Sequence, residues 1–142
     1  MAGTDTLALQ RLNYDSSFKI SEHNWLKDVL NNVQTEVEDQ SKYLGARQGL
    51  SPALAKLWYL SELADGLKAR IQLAAAEAVV SGASMADVGR ATGKSPSNIK
   101  RDFTQLDDII QAITDAHESY EPIDIQIGGW GIELPPHYET LS

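Results

Sequence analysis

Between Ser84 and Phe103 the chain starts a helix twice. Ser84 precedes Met85–Thr92, which Gly93 follows, and Ser95 precedes a second segment whose first residue is Pro96. A serine at the N-cap accepts a hydrogen bond from an amide of the first turn. Proline suits the first helical position, where its missing N–H has no partner to lose, and glycine just past a helix end takes the left-handed conformation without strain. Two short helices with a tight turn are therefore expected. Val88 belongs to the core side, and Ile99 and Phe103, four apart, put one face of the second helix into the same core. Gly89 falls where the two helices cross, where a large side chain would push them apart, and Gly93 falls in the turn, where positive φ favours glycine.

The residues left outside the second helix are Ser97, Asn98, Lys100, Arg101 and Thr104. Asn pairs bidentately with adenine and Arg with guanine in the major groove. Arg90 and Lys94 lie near the turn, where phosphates are reached, and Ser84 and Ser95 mark helix N-termini whose amides suit an anion. The pattern is that of a helix-turn-helix, in which one helix is held rigid so that the next can enter the groove. Two short helices joined at a glycine also occur as a plain αα-hairpin.

The run Ser84-x-x-x-Val88-Gly89-x-x-x-Gly93-x-Ser95-x-x-x-Ile99-Lys100-x-x-Phe103 resembles the three-helix, homeodomain-like units of bacterial regulators, such as response-regulator C-terminal domains and region four of sigma factors. The resemblance covers about Leu63 to Ile113. It implies that Pro96–Phe103 is a recognition helix, that Ser97, Asn98, Lys100 and Arg101 face DNA, and that the helix ending near Ser81 is the supporting first helix. Gly89 departs from the alanine usual at the crossing.

Elsewhere the spacing predicts long helices. Ser21 reads as an N-cap, and Leu26, Leu30, Val33, Val37 and Leu44 follow at 4-3-4-7 spacing, with Gly45 as terminator and Ala46–Leu50 as linker. Ser51-Pro52 starts a second helix that carries Leu54, Leu57, Trp58, Leu60, Leu63, Leu67 and Ile71 and stops at Gly82, with Gly66 as a point of bending or breakage. The Ala-rich stretch Leu73–Ala78 lets another helix approach closely. After Pro96 no Gly or Pro occurs until Pro122, so one helix from Pro96 to about Ser119 is expected, with a heptad-like seam at Ile99, Phe103, Leu106, Ile110, Ile113, His117 and Tyr120. Thr6–Leu12 reads as a short strand or an arm. Ile123, Ile125 and Ile127 alternate with polar residues, and Ile132-Glu133-Leu134 repeats the alternation after Gly128-Gly129-Trp130-Gly131. A weak hairpin, or a strand pairing with the arm or another subunit, is expected there, then an extended tail from Pro135-Pro136.

The fold expected is all-α: a small helical bundle containing a helix-turn-helix, with long supporting helices and an extended or short β C-terminal tail. Its parts are an N-terminal arm (1–20), an N-terminal helix for dimerisation (21–50), a DNA-binding domain (51–121) and an acidic tail (122–142).

Charge sharpens this. The net charge is −8, yet Ser84–Phe103 holds four basic residues against two acids, and no Lys or Arg follows Arg101. The partner expected is double-stranded DNA, met narrowly and locally. A homodimer is expected too, because one such head binds weakly, with the interface in the N-terminal helices (Trp25, Trp58) ahead of the C-terminal seam. The acidic C-terminal part either confers solubility or engages a protein partner. With no cysteine, thiol chemistry and Cys-ligated zinc are excluded. His23, His117 and His137 are scattered, Asp107-Asp108 and Asp115 read as a solvated face, and no nucleophile–base pair or phosphate loop is legible. No enzyme, metal or cofactor is expected. No apolar run is long enough to span a membrane, and Met1–Gln10 lacks a leader's base and apolar run, so a cytoplasmic protein is expected.

The leading reading is a sequence-specific DNA-binding protein, a small transcriptional regulator of bacterial or mobile-element (phage or plasmid) type. The alternative is an interaction adaptor, antirepressor or DNA mimic acting through the acidic part; a DNA-packaging or recombination accessory protein is a third.

Overall fold

The computed structural model describes residues 7–12 and 16–140. It is mostly helical, with a small two-stranded antiparallel sheet at the C-terminal end. The helices are α1 (7–12), α2 (Ser16–Gln48), α3 (Pro52–Val80), α4 (Met85–Thr92), α5 (Pro96–Asp102) and α6 (Leu106–Glu118), and the strands are β1 (Ile123–Ile127) and β2 (Trp130–Leu134). The chain packs as two compact units. One is Arg11–Leu67; the other is Lys68 onward with the residues through Gln10, so α3 contributes to both.

Towards the N-terminal end the helices overrun their expected ends. Residues 7–12 are helical, not a strand, and the rest of the expected arm, residues 1–6 and 13–15, lies outside the described residues. Helix α2 begins at Ser16, so Ser21 does not cap it. No Gly or Pro stands between Asn13 and Leu44 to stop the helix earlier. It also runs through Gly45 and the expected linker to Gln48; an interior glycine costs only about 1 kcal/mol, and the stop comes at Gly49, with φ +66°. Ser51 caps α3 as its Ser-Pro signal predicts, its Oγ accepting from the Leu54 amide at 3.2 Å. Helix α3 runs unbroken through Gly66.

The second unit holds the core. Ala69, Ala75 and Ala76 of α3, Val88 of α4, Ile99 and Phe103 around α5, Leu106, Ile109, Ile113 and Ala116 of α6, and Ile127 and Leu134 of the hairpin are buried together. The small side chains of Ala75 and Ala76 let the neighbouring elements come close. The expected single helix from Pro96 is broken. Phe103 adopts φ −110°, ψ 59° after α5, and Gln105 restarts the chain as α6. Three hydrogen bonds hold this joint: the Gln105 amide donates to Gln72 Oε1 of α3 at 2.8 Å, Gln105 Nε2 donates to the Gln126 carbonyl at 2.7 Å, and the Gly128 amide donates to Gln105 Oε1 at 2.9 Å. The break also rephases the seam. The buried residues of α6 are Leu106, Ile109, Ile113 and Ala116, while Ile110 is half-buried, His117 exposed and Tyr120 86% exposed. Of the expected heptad seam, Ile99, Phe103, Leu106 and Ile113 are therefore spent inside the unit, while His117 and Tyr120 stand outside the core.

The hairpin is part of that core and not an extended tail. Ile123 pairs with Leu134 and Ile127 with Trp130 across the two-residue turn Gly128-Gly129. Gly128 carries φ +61°, a conformation that glycine takes freely. The alternation puts Ile123, Ile125 and Ile127 on the same side as Trp130, Ile132 and Leu134, and Ile127 and Leu134 are each only 1% exposed. The following residues dock as well. The His137 amide donates to the Ser119 carbonyl at 3.0 Å, the Tyr138 amide to the Ala116 carbonyl at 3.2 Å, and the Tyr138 hydroxyl to Glu77 Oε1.

Candidate nucleic-acid interface

Helices α4 and α5 follow their cap signals residue for residue. Ser84 Oγ accepts from the Asp87 amide at 3.1 Å, and Ser95 Oγ accepts from the Asn98 amide at 3.3 Å. Gly93 closes α4 in the left-handed conformation, φ 69° and ψ 19°. The crossing is tighter than the sequence alone implies: a Cβ on Gly89 would stand 2.9 Å from the Lys94 carbonyl oxygen and 3.5 Å from Ile99 Cδ1. The backbone therefore excludes even the alanine common at this position in the resembled families, unless the turn shifts.

Ile99 is buried, which leaves Ser97 and Arg101 on the opposite side of α5 and Asn98 and Lys100 at its two flanks. Ser97, Lys100, Arg101 and Thr104 are exposed and Asn98 half-buried; Thr104 sits in the turn beyond α5. Ser95 and Ser97 hydroxyls lie 3.2 Å apart at the helix start. Ser84 is exposed at the start of α4 and belongs to the other helix of the pair.

The cations are not simply displayed. Arg90 Nη1 lies 2.7 Å from Asp87 Oδ1, three residues back on its own helix, and the Asp87 carboxyl is 4% exposed. Lys94 Nζ lies 2.8 Å and Arg101 Nε 3.1 Å from the two oxygens of Asp102. The hydrogen bond from Lys94, and then that from Arg101, hold the Asp102 carboxyl below the usual carboxylate range. Lys94 also stands 6.0 Å from the centre of the Phe103 ring. Lys100 makes no ion pair among the described residues. Asp102 thus organises the turn and the end of α5 electrostatically. Sequence reasoning missed it, because pairing across a turn at eight residues' separation leaves no periodic signal.

Helix α6 exposes Asp107, Asp108, Asp115 and Glu118. Among the described residues, no three His, Asp or Glu side chains group as a metal site would require, and no helix is long and apolar enough to cross a membrane. Comparison with protein-family models, with curated proteins and with solved structures finds no match.

Proposed function

We propose that the protein binds double-stranded DNA, with α5 in the major groove, α4 across it and α3 as the supporting first helix. The observation that carries this reading is the pair of side-chain-capped short helices locked at Gly89, with Ser97, Asn98, Lys100 and Arg101 turned away from the buried Ile99. Arg101 and Asn98 are the base readers, since their planar groups match the edges of guanine and adenine. Lys94, Lys100 and Arg90 serve the phosphates, with Ser84 and Ser95 at the helix starts. DNA contact then exchanges the Asp102 partners for phosphate or base edges. Such a protein acts as a small transcriptional regulator.

Selection from random DNA with the full chain, followed by anisotropy titrations, tests this. Arg101→Ala should weaken the selected site by about 1–3 kcal/mol and relax specificity at one position, while Lys100→Ala should weaken all sequences alike. If the double variant binds the selected site as the parent does, the head is wrongly assigned.

The ion pairing favours one second reading. With Arg90, Lys94 and Arg101 each facing a carboxylate in the head itself, the exposed acids of α6, Asp107, Asp108, Asp115 and Glu118, offer a one-sign surface fitted to a basic protein partner. Capture of such a partner without any selectable DNA site would favour it.

A further inference from the structure

The unit Arg11–Leu67 does not bury its own apolar surface. Among its described residues the buried hydrophobic side chains are Val37 and Ala55. Against these, Trp25, Leu30, Leu54, Leu57, Trp58 and Leu63 are between 41% and 64% exposed. Scattered exposed apolar residues are ordinary, but these are ordered. At 100° per residue, Leu26 and Leu30, 45% and 62% exposed, share the side of α2 that carries Val33 and Val37. On α3, Leu54, Leu57 and Trp58 share one side, and Tyr59 and Leu63 lie opposite. Tyr59 and Leu63 line an open groove of about 520 Å³ against Val33, Val37 and Tyr43 of α2. The first half of α3 is therefore apolar on two opposing sides, and a helix apolar all round belongs in an interior.

We propose that α2 and the first half of α3 pack against the same helices of a second copy, closing a four-helix bundle. Three observations choose this occupant. The heptad stripe of α2 meets α3 in its second half, at Val33 and Val37, while Leu26 and Leu30 of its first half stay 45% and 62% exposed at a spacing that takes its knobs from another helix and not from a lipid surface or an extended peptide. The large side chains left exposed amount to on the order of 800 Å² per copy, as much as one partner contributes to a standard stable interface. Charge permits the pairing: the unit holds six basic residues and eight acids, interleaved, while the rest of the chain holds six and twelve. The acids Glu22, Asp28, Glu36, Glu38 and Asp39 along α2 oppose a membrane surface, whose interfacial helices are rich in Lys and Arg. This pairing does not depend on the DNA reading.

The test is the mass of the full-length protein by light scattering across micromolar concentrations. The expected mass is twice the 15.5 kDa of the chain. The Leu30→Glu/Trp58→Glu double variant should weaken association at least ~100-fold, since pairing would have to desolvate each introduced carboxylate. Should that variant lose its helicity, a second measurement decides. The chain has no cysteine, so a spin label on Leu57→Cys reports a single site; a dipolar signal between copies that disappears on dilution with unlabelled chain supports the pairing. A monomeric parent protein, an assembly whose mass the double variant leaves unchanged, or a monomer that floats with anionic vesicles overturns it.

Discussion

Asp102 shows how one carboxylate can set the behaviour of a cationic surface. It holds Lys94 from the turn and Arg101 from its own helix, and its lowered pKa keeps it charged through the neutral range. The contribution of this cluster is present above the ordinary carboxylate range and is lost only as acid titrates Asp102 through its lowered value. Asp102→Asn should therefore raise affinity for random-sequence DNA several-fold and steepen the dependence of log K on log salt by about one phosphate's worth, as read by anisotropy over a salt series. Gly89 is the steric counterpart. Gly89→Val would press extra methyls on the Lys94 carbonyl and Ile99 and should cost about 1–3 kcal/mol in urea unfolding. Tyr138 gives a pH-dependent case. Burial first, and then its bond to Glu77, push its hydroxyl up to about 12. The folded state thus keeps a proton that the unfolded chain releases near 10, so stability is full below pH 10 and falls as pH rises towards 12. Tyr138→Phe should cost about 1 kcal/mol at neutral pH and flatten that alkaline loss.

At the scale of elements, the joint between α5 and α6 and the hairpin are one construction. Gln105 binds α3 through its backbone amide and the hairpin through both ends of its side chain. Gln105→Ala should leave α5 intact yet lower stability by about 1–2 kcal/mol, because two hydrogen bonds to hairpin backbone are lost. Ile127→Ala should cost about 2–5 kcal/mol, since Ile127 is 1% exposed inside the core; a loosely attached tail would leave the urea midpoint unmoved. The contrast with α4 is instructive. Its limits were legible because Ser84 and Gly93 act on amides and carbonyls within one turn of themselves. The end of α5 was not, because Asp102 to Gln105 contain no Gly or Pro, and what breaks the helix is Gln72, 33 residues away, together with the hairpin.

For the whole molecule, charge and apolar surface divide between the two units. The unit with α4 and α5 carries the greater acidic excess, and the cations Arg90, Lys94, Lys100 and Arg101 stand together near the α4–α5 turn. For the proposed DNA contact the salt slope should accordingly be shallow, about −3 per copy when Arg90, Lys94 and Lys100 engage phosphates and Arg101 a base. A steeper slope would mean that basic residues outside the head take part. The unit Arg11–Leu67 carries little net charge and much exposed apolar surface. If a second copy covers it, thermal unfolding of the parent should move to higher temperature as protein concentration rises, and the Leu30→Glu/Trp58→Glu protein should lose that dependence.

The sequence by itself determined what acts over a few residues: the cap and limits of α4, the capped start of α5, the Ser-Pro start of α3, the alternation that became the hairpin, and the outward set of residues on α5. These follow from amides, φ angles and side-chain periods that near neighbours decide. Only the tertiary structure decided where α5 stops, that the C-terminal strands close the core, that Asp102 gathers two of the four cations, and that the apolar stripes of α2 and α3 stay uncovered in one chain. Each of these depends on groups distant in sequence meeting in space, and no local pattern encodes that meeting.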